Sequence, residues 1–314
     1  MKTIHHHTTR PIPKHCRSLL LAVVAGLASI LIPTSADAAL YASMNGGGAI
    51  QEISSGGVAT TLATGLDHPS GLAFGPDGNL YVSQDISGSL TSVISRVTPG
   101  GAVSTFASGF QIPLGLAFDG GGNLYVADYG PHTISKITSG GSVSLFASGL
   151  NSPFGLAFNS AGTLFVANRD NGTVSQISSL GVVTPFASGF SSPNDLTFGS
   201  GGNLFVSNFA SNTISMVTPS GFVSTFVDNT HGLSSPIGMA YDPGSDILYV
   251  ANQGTASVMA VTSAGSVSTF ATLSGSPQYL AFAPTPVPEP ATIAVGLLCL
   301  GVGVARRRRS ARVA

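Results

Sequence analysis

A heptapeptide resembling Ser-Pro-x-Gly-Leu-Ala-Phe occurs six times in the chain, and its spacing limits the folds that are available. The intervals between successive copies are 44, 40, 40, 43 and 41 residues, and short apolar runs fill them. A period near 40 residues, filled with short strands, is typical of a β-propeller rather than of a helical solenoid. The copies are HPSGLAF, IPLGLAF, SPFGLAF, SPNDLTF, SPIGMAY and SPQYLAF, with prolines Pro69, Pro113, Pro153, Pro193, Pro236 and Pro277.

The two ends of the repeat region predict how the ring closes. The sixth copy, YLAF at 279–282, has no second, third or fourth run after it. At the other end, LYAS (40–43), AIQEI (49–53) and VATTL (58–62) have no first run. Pairing YLAF with LYAS completes a blade and leaves no open seam. We therefore predict an all-β fold, a six-bladed β-propeller of four-stranded blades closed by a composite blade from both termini.

Charge and cysteine content exclude several classes of function. Residues 39–285 carry three basic and eleven acidic side chains, a net charge of −8. A phosphate backbone is bound by clustered Lys and Arg, so no nucleic acid partner is expected. Both cysteines, Cys16 and Cys299, lie outside this region. The body therefore offers no disulfide, cysteine metal site or thiol nucleophile.

Residues 1–38 predict a secretory signal peptide with a helical apolar segment. Basic residues precede an apolar stretch at 19–32, and Ala36-Asp37-Ala38 provides a small-residue cleavage site. Signal peptidase is the expected processing partner. The body, 39–285, is accordingly predicted to lie outside the cytoplasm.

The segment 286–314 contains a PEP motif, an apolar stretch at 291–305 and an arginine cluster, in that order. By itself this pattern predicts a helical transmembrane tail anchor or a transient stop. The apolar stretch of 15 residues is a little short to span a bilayer, and the arginine cluster would keep the end of the chain on the cytoplasmic side. The motif and the cluster comprise Pro288, Glu289, Pro290, Arg306, Arg307, Arg308 and Arg309.

The order of these elements resembles the PEP-CTERM sorting signal. That resemblance implies an exosortase as a partner, transient anchoring in the inner membrane, and export to the cell surface or extracellular matrix of a Gram-negative bacterium.

The segment PLGLAFDGGGNLYVADYG (113–130) resembles an NHL repeat, and the resemblance extends over 39–285. It implies that the GLAF run is the innermost strand and that the second run returns antiparallel to it. The residue after each proline and the residue that ends each second run would then lie at one mouth of the channel.

Polar residues end the second run in five blades, whereas Met44 ends it in the composite blade. One interpretation is turn chemistry, in which Asn and Asp side chains bind nearby backbone amides. The other is a hard-cation site, since Ca²⁺ binds carboxylate and amide oxygens. Candidate binding residues at this mouth are Gln84, Asn168, Asn208, Asn252, Gln278, His68, Arg169 and His231, with Asp128 as a candidate metal ligand.

The copy SPNDLTF departs from the repeat, because Asn194 and Asp195 replace an apolar or small residue and a glycine. The pair is either drift on a solvated rim or a ligand set. Pro193-Asn194-Asp195 resembles the Pro-Asn-Gly motif of gluconolactonase and senescence-marker lactonases. That resemblance implies a divalent cation held by Asn194, Asp195 and Asp128. Those enzymes also use a glutamate near the start of the domain, whereas Glu52 here is predicted in a third strand away from the channel.

Streptogramin lyases are similar propellers, and that similarity implies a histidine with acidic partners. The loops of this chain offer His68, His132 and His231. No Walker loop, H-E-x-x-H motif or nucleophile elbow occurs. Two hypotheses follow. The chain is either an exported module that binds polysaccharide or protein, or a metal-dependent lactonase-like or lyase-like enzyme.

Overall fold

The computed structural model describes residues 38–86 and 91–284, which form 24 strands in six four-stranded antiparallel sheets. The first strands are β1 (Leu40–Met44), β2 (Ala49–Ile53) and β3 (Ala59–Ala63). Blade 1 consists of β4 (Pro69–Phe74), β5 (Leu80–Gln84), β6 (Ser92–Val97) and β7 (Val103–Phe110). Blade 2 consists of β8 (Pro113–Phe118), β9 (Leu124–Asp128), β10 (Thr133–Ile137) and β11 (Val143–Ala147).

Three further blades repeat this order. Blade 3 consists of β12 (Pro153–Phe158), β13 (Leu164–Asn168), β14 (Thr173–Ile177) and β15 (Val183–Ser188). Blade 4 consists of β16 (Pro193–Phe198), β17 (Leu204–Asn208), β18 (Thr213–Val217) and β19 (Val223–Val227). Blade 5 consists of β20 (Pro236–Asp242), β21 (Ile247–Asn252), β22 (Ser257–Thr262) and β23 (Val267–Thr272), and β24 (Pro277–Phe282) follows.

The sixth blade is built from both ends of the described region, in the order β24-β1-β2-β3. Strands β24 and β1 are antiparallel, with Leu280 opposite Ala42 and Phe282 opposite Leu40. The Ala283 N–H also donates to the Ala39 carbonyl at 2.9 Å. The predicted six-bladed propeller and its composite closure are confirmed.

The signal and tail predictions fall outside this region. The structure describes neither the apolar stretch at 19–32 nor any residue of 286–314, where the transmembrane tail was predicted. Within 38–86 and 91–284, the helical elements are the single turns Asn45–Gly47, Ser200–Gly202 and Gln253–Thr255. No helix in these two segments has the length and apolarity needed to cross a membrane.

Burial follows the position of a strand within its blade. Every residue of β5, β9, β13 and β17, the second strands of blades 1 to 4, is buried, whereas the outermost strand β11 is mostly exposed. The second strands are covered on both faces because neighbouring blades pack against each other. This packing explains why these runs do not alternate between apolar and polar residues.

Aromatic side chains connect each of several blades to the next. Tyr81 makes edge-to-face contacts with Phe106 of its own blade and with Phe118 of blade 2, at centroid distances of 4.8 and 5.0 Å. Such a pair contributes about 0.5–1.5 kcal/mol beyond the burial of its area. The same arrangement recurs at Tyr125 with Phe146 and Phe158, at Phe165 with Phe186 and Phe198, and at Tyr249 with Phe270 and Phe282.

Around the channel the innermost strands of neighbouring blades lie very close together. A Cβ atom added to Gly115 of β8 would overlap the carbonyl oxygen of Phe154 in β12. Serine hydroxyls bridge three of these junctions. The Ser83 hydroxyl, for example, accepts the Gly71 N–H of its own blade at 2.8 Å and donates to the Leu114 carbonyl of the next at 2.7 Å. The corresponding bridges use Ser43 and Ser207.

We expect Gly115→Ala to lower the free energy of unfolding by about 1–3 kcal/mol, because the added methyl group overpacks the junction of blades 2 and 3. Gly120→Ala is the matched control, since nothing lies within 4 Å of a Cβ atom there. Denaturant unfolding of both variants measures the effect. Equal stability of the two variants would show that the junction has room for the methyl group.

Candidate functional site

One mouth of the channel is formed where the innermost strands begin and the second strands end. Pro113 lies opposite Asp128, Pro153 opposite Asn168, and Pro193 opposite Asn208. The residues that follow the prolines and the polar residues that end the second strands therefore lie at the same mouth. This is the arrangement that the sequence predicts.

The polar residues that end the second strands bind the loop that enters their own blade. The Asn168 Oδ1 atom accepts the Asn151 N–H at 3.2 Å, and its amide nitrogen donates to Ser175 at 2.9 Å. These side chains therefore hold the blade entrances together. The other acceptors are Gln84, Asp128, Asn208 and Asn252, which bind the N–H groups of Asp67, Gln111, Ser191 and Ser234, respectively.

Asp128 is the one carboxylate among these five acceptors. It also accepts the Ile112 N–H, at 2.8 Å. Burial raises the pKa of Asp128, and the hydrogen bonds from Ile112 and Gln111 partly oppose that rise.

Asp195 lies between the innermost strands of three blades. It is 5% exposed, its Oδ2 atom accepts the Met239 N–H of blade 5 at 2.7 Å, and its Oδ1 atom faces Gly155 of blade 3. Burial raises the pKa of Asp195 to about 7, against the effect of hydrogen bonds from Met239 and Leu196. A buried carboxyl group with few partners is held partly protonated at neutral pH.

Two buried polar atoms at this mouth have no hydrogen-bond partner among the residues that the structure describes. They are the Oδ1 atom of Asn194, a residue 1% exposed, and the hydroxyl oxygen of Tyr279, a residue 4% exposed. The pKa of Tyr279 is raised well above its usual value, first by burial and then by the nearby charge of Asp195, whereas Arg169 lowers it. The channel thus contains polar groups that the protein itself does not satisfy.

Arg169 covers this region from the end of β13. Its guanidinium group lies 5.1 Å from the ring centre of Phe154 and 5.4 Å from that of Phe209, so it spans blades 3 and 4. The Phe154 ring stacks with Tyr279 of blade 6 at a centroid distance of 6.5 Å. We call the six residues Phe154, Arg169, Asn194, Asp195, Phe209 and Tyr279 the mouth cluster.

The three loop histidines lie outside the mouth cluster. His68 and His231 are exposed, and the Nδ1 atom of each approaches an aspartate, Asp67 at 2.6 Å and Asp228 at 2.7 Å, respectively. The His132 Nδ1 atom accepts the Ser152 N–H at 2.9 Å.

Of the other binding candidates, Arg169 belongs to the mouth cluster, and Gln278 is half-buried beside Tyr279. Glu52 lies in β2, the third strand of the composite blade, as the sequence predicts.

The candidate metal ligands belong to two different blades. Asp128 and Asp195 lie in blades 2 and 4 and accept different backbone N–H groups. Over 38–86 and 91–284, no three His, Cys, Asp or Glu side chains are grouped so as to hold a metal ion. A divalent cation bound by Asn194, Asp195 and Asp128 stays a prediction.

Tyr279 and Phe209 are not among the candidate site residues predicted from the sequence. The sequence does contain an indication for Tyr279, because Tyr279 replaces the same glycine of the repeat that Asp195 replaces in blade 4. Phe209 follows the second strand of blade 4 and carries no such mark. Its role depends on the position of Arg169 in the neighbouring blade.

Comparisons with known proteins agree with this architecture. The family described as the virginiamycin B lyase family matches residues 62–286, and the PEP-CTERM protein-sorting motif matches residues 286–309. The second match includes the PEP motif and the cluster Arg306–Arg309, indicates export and sorting, and implies processing by an exosortase. No curated protein matches the chain.

Several solved structures share the fold. Virginiamycin B lyase from Staphylococcus aureus is 18% identical, with a TM-score of 0.60, over 80% of this chain and 89% of that chain. A streptogramin B lyase is 14% identical, with a TM-score of 0.61, over 82% and 93%. A chain of a nidogen/laminin complex is 20% identical, with a TM-score of 0.68, over 79% and 99%. At these identities the likeness shows the propeller fold alone.

We expect Asp195→Asn to flatten the pH dependence of stability between about pH 4 and pH 8. Because the folded-state pKa is raised to about 7, the stabilising contribution of Asp195 is complete below the unfolded-state value and is lost as the pH rises through 7. The variant should not show this decrease in the free energy of unfolding, which amounts to at most about 4 kcal/mol. Denaturant unfolding across this range measures it.

Asp77→Asn is the control for this experiment. Burial raises the pKa of Asp77, but hydrogen bonds from Asn79 and Tyr81 outweigh it and hold that pKa below its usual value. Its titration therefore falls below most of the window, and the stability of the variant should change between pH 4 and pH 8 in parallel with that of the unmodified protein. Parallel profiles for Asp195→Asn and the unmodified protein would contradict the raised pKa.

Proposed function

The chain belongs to the virginiamycin B lyase family, and from that premise we propose that it is an exported propeller that binds a polysaccharide at its channel mouth without turning it over. Its final location, at the cell surface or in the extracellular matrix, is part of the proposal. The sorting motif supports this location, because its processing places the body outside the cytoplasm.

The observation that carries the proposal is the composition of the mouth cluster. Phe209 provides a half-buried aromatic face, Arg169 provides hydrogen-bond donors beside it and is supported by the buried ring of Phe154, and Asn194 provides an acceptor. Aromatic and arginine side chains are enriched where proteins bind partners, and a few polar groups within an apolar site orient a ligand. Sugars combine apolar ring faces with hydroxyl groups, so they suit this combination.

Proton-transfer chemistry has less support at the same place. A general base must lie within hydrogen-bond reach of its substrate. The three loop histidines lie outside the mouth cluster, and the carboxylate of Asp128 is engaged by backbone N–H groups. The polar atoms that lack partners in the cluster belong to an amide and a phenol, which suits binding better than acid–base catalysis.

An enzyme of the lyase or lactonase type is the second candidate. The family match favours it, as does Asp195, whose pKa of about 7 suits a group that exchanges protons near neutral pH. In this alternative Asp195 acts as the base at the mouth.

We expect the full-length protein to bind members of a panel of immobilised bacterial polysaccharides, and Phe209→Ala to weaken binding about tenfold or more. Surface plasmon resonance measures the affinities. Phe222→Ala is the matched control, because Phe222 is 69% exposed on the turn that precedes β19, away from the mouth.

The same preparations are assayed with a lactone panel and with streptogramin B. Turnover that Asp195→Asn abolishes would favour the enzyme and contradict the binding proposal. Binding to a surface protein with no affinity for any glycan would contradict the polysaccharide as the partner.

A further inference from the structure

Arg169 differs from the other basic side chains of the propeller in its surroundings. The body has two others, and each has a polar neighbour. The Lys136 ammonium lies 3.8 Å from the Asp119 carboxylate, and Arg96 is close enough to the Tyr81 hydroxyl for its charge to lower the pKa of that group, against the larger effects of burial and Asp77. Within the described part of the chain no carboxylate lies within 4.0 Å of the Arg169 guanidinium. A domain with a net charge of −8 thus has at its channel mouth a cation that forms no direct ion pair with any described carboxylate.

The rings of Phe154 and Phe209 lie beside this guanidinium group. Phenyl rings attract a cation but accept no conventional hydrogen bond, so its five N–H donors are left for water or a ligand. Arginine remains ionised and binds a carboxylate through two parallel hydrogen bonds. The chemistry of this position therefore suits a carboxylate.

The partnerless atoms of the mouth cluster add a second, independent observation. The Asn194 Oδ1 atom requires a donor, and the Tyr279 hydroxyl can donate or accept. Buried polar atoms are nearly always hydrogen-bonded in native proteins, so each of these two atoms calls for a partner from outside the chain. A molecule that carries hydroxyl groups next to its carboxylate can supply both kinds of partner.

We propose that the mouth cluster binds a uronate, a sugar whose carboxylate pairs with Arg169 and whose hydroxyl groups hydrogen-bond Asn194 and Tyr279. This inference rests on the proposed polysaccharide binding and names the class of sugar. The half-buried ring of Phe209 packs against the sugar ring, whereas Phe154, which is buried against Tyr279, supports the guanidinium group of Arg169. Because burial holds Asp195 partly protonated near neutral pH, its charge offsets that of Arg169 only in part.

The shared chemistry, a carboxylate with neighbouring hydroxyl groups, occurs both in a polysaccharide and in a free sugar acid. Isothermal titration calorimetry of the full-length protein at low ionic strength distinguishes these sources. The probes are trigalacturonate, monomeric galacturonate, the neutral trisaccharide maltotriose, and acetate. We expect trigalacturonate to bind more tightly than maltotriose by about tenfold or more. Most of that preference should be lost in 0.5 M NaCl, because the Debye length there is only about 4 Å and the salt screens the attraction between the carboxylate and Arg169.

Two variants test the assignment of the residues. Arg169→Gln should weaken trigalacturonate binding about tenfold or more and weaken maltotriose binding by a smaller factor, so that most of the preference for trigalacturonate is lost. Tyr279→Phe should weaken trigalacturonate binding about fivefold, yet leave the unfolding temperature of the free protein unchanged or higher, because the hydroxyl group has no partner in the free protein. Arg96→Gln, a loss of charge on the third strand of blade 1, is the matched control and should bind like the unmodified protein.

The outcomes separate this inference from the proposed function. Equal affinity for trigalacturonate and maltotriose would overturn the uronate site and leave polysaccharide binding intact. Loss of every sugar interaction would overturn both. If galacturonate binds as tightly as its trimer, the uronate site is supported and its ligand is a free sugar acid. If only acetate binds, the uronate site is overturned, because the hydroxyl contacts would then contribute nothing.

Discussion

The close approach of the six innermost strands around the channel is the constraint on which the rest of this structure depends. Where Gly115 meets the carbonyl group of Phe154, there is no space for a side chain, and serine hydroxyls such as that of Ser83 bridge other junctions. The aromatic contacts farther from the axis, at Tyr81 and its equivalents, join the same blades. Both sets of contacts run from one blade to the next, so the ring is stabilised as a unit once the composite blade closes it.

A departure from glycine at this radius places a side chain inside the channel wall. Asp195 and Tyr279 are the two residues that depart in this way, and both are buried. The carboxyl group of Asp195 finds a backbone partner in blade 5, whereas the hydroxyl group of Tyr279 finds none in the described residues. A buried polar atom without a partner costs about 1–3 kcal/mol, so its retention in a well-packed ring fits a binding role better than a structural one.

Particular residues show how far sequence reasoning extends. The prediction that Asn168 and its equivalents lie at one mouth is confirmed, because strand direction follows from the repeat and the register places each opposite a proline. The sequence did not decide whether their side chains bind backbone amides of the loops or a cation. Their hydrogen bonds to the N–H groups of the entering loops depend on loop geometry, which no pattern of residue types encodes. Tyr279 could have been found in the same way as Asp195, since both replace the glycine at the same position of the repeat.

The sequence by itself determined the architecture and the sorting of this protein. A period near 40 residues, the separated runs at the two ends and the terminal PEP motif are local patterns, and they are sufficient for a closed six-bladed ring that is exported. Only the tertiary structure decided which side chains meet at the mouth. Phe154 and Arg169 come from blade 3, Asn194 and Phe209 from blade 4 and Tyr279 from blade 6, more than 100 residues from the start of blade 3. Their convergence is a consequence of ring closure, because the channel brings opposite blades within contact distance regardless of their separation in the chain.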